Sequence, residues 1–184
     1  MGSQRLIRLA LVVSLATLTV GCRENRGPDG DATSTTAAPS GRQEVVDWVN
    51  DGDTLTLRDG AKVRLVQVDA PELHSDCYGR AALQALIGLA PKGTRVTVVR
   101  DPRLDERDDH GRLLRYVFVG SENVNVELVR RGAASPYFFR NARGRYADAL
   151  LDAVEEARDA RRGYWGACSG AELNTGIGSV TGPA

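Results

Sequence analysis

Five short β-prone runs, a helical segment after the third and further helical segments after the fifth predict an α+β fold. The architecture this order describes is a five-stranded OB-type β-barrel with a helix inserted after the third strand and C-terminal helices. Three observations carry the prediction. The first strands alternate apolar and polar side chains, tight-turn signals join them, and a stripe of helical period marks the far end of the chain.

The runs Glu44 to Val49 and Thr54 to Arg58 flank Asn50-Asp51-Gly52-Asp53, a strong turn signal. Asp59-Gly60 makes a second turn into a strand from Ala61 to Val68, where Val63, Leu65 and Gln67 alternate with Arg64, Val66 and Val68. Three consecutive strands with tight turns form a meander. A helix is expected from Arg80 to Leu89, with Ala82, Leu83, Leu86 and Ile87 on one face and Pro91 beyond its end. Thr94 to Arg100 and Leu113 to Val119 complete the strands. Asn125 is expected to cap a helix over Val126 to Arg131 that stops at Gly132. Ala147, Leu150, Leu151, Val154 and Ala157 form the buried stripe of a longer helix ending before Gly163.

Composition bounds the rest. With 42% hydrophobic and 26% charged residues the chain is globular in character, and aromatics at 5% leave the core to Val, Leu and Ala. Residues 43–170 form the expected domain, without internal repeats. Residues 171–184, small and polar with repeated Gly, are expected to be disordered, and residues 22–42 to be a flexible tether.

Arg5 and Arg8 precede or flank an apolar run from Leu9 to Val20, too short to span a bilayer comfortably and of signal-peptide length. Residues 1–21 are therefore expected to be a signal peptide. Leu18-Thr19-Val20-Gly21-Cys22 resembles a bacterial lipobox, with Thr19 where Leu is usual, which makes Cys22 the candidate lipidation site. Ordinary cleavage near Gly21, leaving Cys22 free and the protein secreted, is the alternative. The expected location is extracytoplasmic, lipid-anchored to the cell membrane. In an oxidising compartment the two remaining cysteines, Cys77 and Cys168, most often pair, the alternative being two buried thiols.

The 24 basic and 24 acidic residues cancel, and loss of Arg5 and Arg8 with the leader leaves 22 against 24. Bulk electrostatics cannot hold such a chain on nucleic acid. Phosphate recognition must come from a few placed residues, nearly all of them Arg because Lys62 and Lys92 are the only lysines.

Several ordered blocks supply such residues: Asp51-Gly52-Asp53-Thr54, Arg64 to Glu72 (Arg-Leu-Val-Gln-Val-Asp-Ala-Pro-Glu), Tyr78-Gly79 and His110-Gly111-Arg112. Val124 to Gly132 and Gly163-Tyr164-Trp165 follow. Together, over about 125 residues, these blocks resemble the signatures of staphylococcal-type thermonucleases. The resemblance implies sequence-nonspecific phosphodiester hydrolysis of DNA and RNA, with 3′-phosphate products. It also implies Ca²⁺ held by Asp53, Asp69 and the main-chain carbonyl of Ala70, where the family often has Thr. Hard oxygen donors suit that cation. Glu72 matches the family's general base, and Arg64 and Arg112 match its phosphate clamps, whose planar forks suit equatorial phosphoryl oxygens. His110 stands where the prototype has Tyr, and Tyr137 and Phe138 fall where the family places further base-stacking aromatics, with Phe139 adjacent.

Strict strand alternation would put Arg64 and Asp69 on opposite faces, because five is an odd step. For both to serve one site the chain must bend before Asp69. A noncatalytic OB-fold lipoprotein that binds nucleic acid or another polyanion is the competing class, disfavoured because binding alone has no use for Glu72. No obligate protein partner is evident, and a monomer is expected.

Overall fold

The computed structural model describes residues 39–182. The expected signal peptide, Cys22 and most of the tether lie outside the described residues. Ten strands occur among the described residues, and the barrel is built from β1 (Arg42–Val49), β2 (Thr54–Leu57), β3 (Lys62–Leu65), β5 (Arg95–Val99) and β6 (Leu113–Val119). β1 bonds to β5 through its first half and to β2 through its second, with an irregularity between Val46 and Trp48 that turns the strand from one neighbour to the other. A parallel pairing of β3 with β6, Val63 opposite Leu113, closes the ring. A closed five-stranded barrel of mixed direction with helices is the α+β, OB-type architecture expected from the sequence.

The strand predicted over 61–68 is two strands. It ends at Leu65, turns at Val66 and Gln67, and resumes as β4 (Val68–Asp69), which pairs with β8 (Ser135–Pro136). Gln67 takes φ of 62°, a left-handed conformation costly for a residue with a Cβ. Its buried amide offsets that cost. Oε1 accepts hydrogen bonds from the Tyr116 hydroxyl at 2.7 Å and the Gly144 N–H at 2.9 Å, while Nε2 donates to the Ala142 carbonyl at 2.8 Å.

The inserted helix is α1 (Gly79–Leu89), which seats Ala82, Leu86 and Leu89 on the barrel, with Leu83 and Ile87 half-buried. Next come β7 (Glu122–Asn123) and α2 (Val124–Arg130). The cap of α2 is Asn123 rather than Asn125, its side chain accepting from the backbone N–H groups of Asn125 and Val126. Asn125 instead lies fully buried, donating to the Val66 and Arg115 carbonyls and accepting from the Val117 N–H. It thereby stitches the helix to the turn that precedes Asp69. In α3 (Ala147–Asp159) the buried stripe is Ala147, Leu150, Ala153, Val154 and Ala157, with Leu151 only half-buried.

A short α4 (Tyr164–Ala167) leads to Cys168, which is disulfide-bonded to Cys77. The expectation of disorder after residue 170 fails for the described part of that segment. β9 (Glu172–Asn174) and β10 (Gly178–Val180) form an antiparallel hairpin that returns to the body of the domain. No helix among the described residues is long and apolar enough to cross a membrane.

Candidate active site

The turn between β1 and β2 and the bend between β3 and β4 meet at one mouth of the barrel, and they carry the acidic residues. Asp53 closes its turn with its own N–H donating to Asp51 Oδ1 at 3.0 Å, and its carboxylate is buried. Oδ1 of Asp53 accepts from the Thr54 hydroxyl at 3.1 Å, and Oδ2 accepts from the Ala70 N–H at 2.8 Å. That last bond brings Ala70 and its neighbour Asp69 to Asp53 across 17 positions of sequence.

Arg64 joins the two carboxylates. Its Nη2 lies 2.7 Å from Asp69 Oδ1 and 3.0 Å from Asp53 Oδ2, while Nη1 donates to the carbonyls of Val68 and Leu65. The turn at Val66 and Gln67 makes this possible, since it removes the odd-step separation of an unbroken strand. Arg64 is thus committed to its own chain on both terminal nitrogens. Its first effect is to hold two like charges together.

Burial pushes the Asp53 carboxyl up to about 7, against the pull of Arg64 and the Ala70 N–H, with Asp51 and Asp69 adding to the rise. Two carboxylates and one guanidinium leave the pocket short of positive charge. Among the described residues no cluster of three or more His, Cys, Asp or Glu is placed to hold a metal. The donors that the resemblance names here are the two carboxylates and the Ala70 carbonyl, all hard oxygen. That set fits a calcium ion completing its six to eight ligands with water, and it does not fit a metal needing nitrogen or sulfur.

Glu72 follows Pro71 at the rim. Its side chain is exposed and makes no ion pair or hydrogen bond among the described residues, whereas its backbone is pinned by Asp76. Gly79 packs so closely on the Glu72 carbonyl oxygen that a Cβ there would collide with it, which explains the Tyr78-Gly79 motif. The loop between them ends in Cys77, so the disulfide ties the Glu72 loop to the end of the domain.

Arg112 approaches from the loop before β6. Its Nε donates to Asp108 Oδ2 at 2.6 Å and Nη1 to the Thr54 hydroxyl at 3.3 Å. The same hydroxyl bonds Asp53, so Arg112 is one hydrogen bond removed from the acidic pair. Burial alone would raise the Asp108 carboxyl. The Arg112 side chain and the N–H groups of Arg112 and His110 outweigh it and hold Asp108 below its ordinary range. Asp108 is therefore a fixed anchor that aims Arg112. Between the two arginines opens a cavity of about 250 Å³ whose wall includes His110, Tyr137 and Phe139.

Residues 62–167 match the family described as "Staphylococcal nuclease homologue". The chain belongs to that nuclease family. It is 38% identical over 122 residues to an uncharacterized endonuclease of Escherichia coli O157:H7, covering 64% of this chain and 72% of the relative. It is 31% identical over 146 residues to a thermonuclease of Staphylococcus intermedius, covering 74% of this chain and 84% of that protein. A thermonuclease of Staphylococcus hyicus is 29% identical over 125 residues, covering 64% and 72%.

In this nuclease homologue the structure gathers Asp53, Arg64, Asp69 and Ala70 into one bonded group and sets Arg112 beside it. His110 and Tyr137 line the adjoining cavity. Phe138 does not. It is 2% exposed and belongs to the main core, two residues beyond the end of β8, with its N–H donating to the Thr175 carbonyl. Phe139, 47% exposed and carrying Arg140 over its ring at 4.9 Å, takes the surface position instead. Sequence reasoning missed Ser179, whose N–H and hydroxyl both donate to Asp69 Oδ2 at 2.9 and 3.0 Å. Nothing in the local pattern of a Gly-rich tail signals a partner 110 positions away.

Proposed function

We propose that this chain is a calcium-dependent, sequence-nonspecific phosphodiesterase that hydrolyses DNA and RNA to 3′-phosphate products. The observation that carries the proposal is the pair of Asp53, buried, and Asp69, half-buried, held together by Arg64 with two carboxylates to one guanidinium. Calcium bound there would neutralise phosphoryl oxygens and favour attack on phosphorus.

The chain's own residues supply the remainder. Glu72, exposed at the rim with an unengaged carboxylate, takes or orients the proton of the attacking water. Arg112 stabilises the charge that grows on the equatorial oxygens, since its Nη2 makes no hydrogen bond among the described residues. Arg64 can add to this through its terminal nitrogens by yielding one of their present partners. His110, Tyr137 and Phe139 offer faces on which bases stack, a contact with little sequence preference. Cys22 is the lipid attachment point in this reading, placing the enzyme outside the cytoplasm on the membrane as a monomer.

The test is release of acid-soluble nucleotides from denatured DNA and from RNA, with calcium and with chelator, by the chain and by Glu72→Gln. The expected result is calcium-dependent release reduced about 10²- to 10⁴-fold in the variant, the usual worth of a general base. No release by a folded, calcium-supplied chain would transfer the assignment to noncatalytic binding of nucleic acid.

A further inference from the structure

The hairpin of β9 and β10 forms no strand pairing with the barrel, yet it comes to rest on Asp69 of the acidic pair. Few contacts hold it. The Phe138 N–H donates to the Thr175 carbonyl at 2.7 Å, the Cys77 N–H donates to the Gly182 carbonyl at 3.1 Å, and Leu173 and Thr181 are its inward side chains. Its turn leaves Ile177 66% exposed. Between these moorings lie Gly178 and Ser179. Gly178 has φ of +94° and sits so close to Asp69 that a Cβ would run into the carboxylate, so only glycine fits.

An ionised carboxylate offers about four lone-pair positions. Ser179 occupies Oδ2 of Asp69 with two donors, and Arg64 occupies Oδ1 with one. A cation approaching Oδ2 would meet two donated hydrogens where it needs oxygen lone pairs. The segment Gly178-Ser179-Val180 carries no charge, so it satisfies the carboxylate without neutralising it. The docked hairpin and a divalent cation therefore make conflicting demands on one oxygen.

We propose that the C-terminal hairpin is a built-in cap on the acidic pair, which the cation and the hairpin occupy in competition. The proposal rests on the assignment of calcium to Asp53 and Asp69. The cap is also bonded to Cys77, whose N–H donates to the Gly182 carbonyl, and the disulfide to Cys168 holds that end of the Glu72 loop whether or not the cap is seated.

Calorimetric titration with calcium alone tests this on three proteins. These are the chain, a variant ending at Gly170 that retains Cys168, and full-length Gly178→Val, in which the added side chain must push the hairpin off Asp69. Both variants are expected to bind calcium at least about tenfold more tightly, the low end of what one hydrogen bond to a charged group contributes. Calcium should also speed hydrogen exchange at the Ser179 amide of the unaltered chain, leaving α1 protected. Affinity equal to or weaker than that of the unaltered chain in the truncated variant, which decides where the two variants differ, overturns the cap and leaves the cation site standing. Calcium binding by none of the three overturns the cation site and the cap with it.

Discussion

Replacing Asp53 by Asn should stabilise the cation-free chain, and by more as the pH rises. Below about pH 4 the carboxyl is protonated in both folded and unfolded states, and its titration does not affect folding. From 3.8 to about 7 the unfolded chain has released the proton that the folded chain still holds, so stability falls as the pH increases. Above pH 7 the loss is complete. Moving a carboxyl from 3.8 to about 7 opposes folding by roughly 4 kcal/mol, at about 1.4 kcal/mol for each tenfold change in acid constant. The shift to about 7 already contains the pull of Arg64 and of the Ala70 N–H, so losing them is not a further cost. The expected net gain is therefore about 4 kcal/mol at pH 8, vanishing near pH 4. Urea unfolding in chelator at the two pH values measures it as a shift in midpoint at unchanged slope. A variant less stable than the parent at pH 8, or a difference that does not change with pH, would refute the reasoning. Asp53 would then be an ion that Arg64 already neutralises.

Two further predictions separate neighbouring residues and covalent from noncovalent ties. Phe138→Ala should cost about 3–5 kcal/mol of stability as a core cavity, whereas Phe139→Ala should leave the unfolding midpoint unchanged and raise KM on single-stranded DNA several-fold. Equal stability losses would show that both rings are core. Replacing Cys77 and Cys168 by Ala should lower stability by up to about 4 kcal/mol, since the bridge closes a loop with a sequence separation of 91. Proteolysis should then appear first in the loop between Glu72 and Tyr78, and cleavage elsewhere would show that the bridge does not restrain that loop.

The barrel was legible because its signals are local. Alternation in β1 to β3, turn chemistry at Asn50 to Asp53 and at Asp59-Gly60, and the α3 stripe each need only a few consecutive residues. Where an assignment failed, a longer-range contact had overridden local preference. Asn125 looks like a helix cap, yet it is drawn into the interior by the Val66 and Arg115 carbonyls, and Asn123 caps instead. Phe138 and Phe139 are indistinguishable in sequence, and only the path of the chain beyond β8 decides which one faces the core.

The acidic pair shows the same division. Asp53, Arg64, Asp69, Glu72 and Arg112 could be picked out by residue type and motif, because phosphoryl chemistry restricts which side chains serve. That Arg64 is spent on the two aspartates follows only from the left-handed turn at Gln67, which Tyr116, Ala142 and Gly144 hold in place. Neither the closing of the Glu72 loop against Cys168 nor the seating of Ser179 on Asp69 leaves a mark in local sequence. Both depend on chain ends brought together by the collapse of the core. Local pattern thus specified the strands, helices and reactive groups, and the folded core decided which groups confront one another.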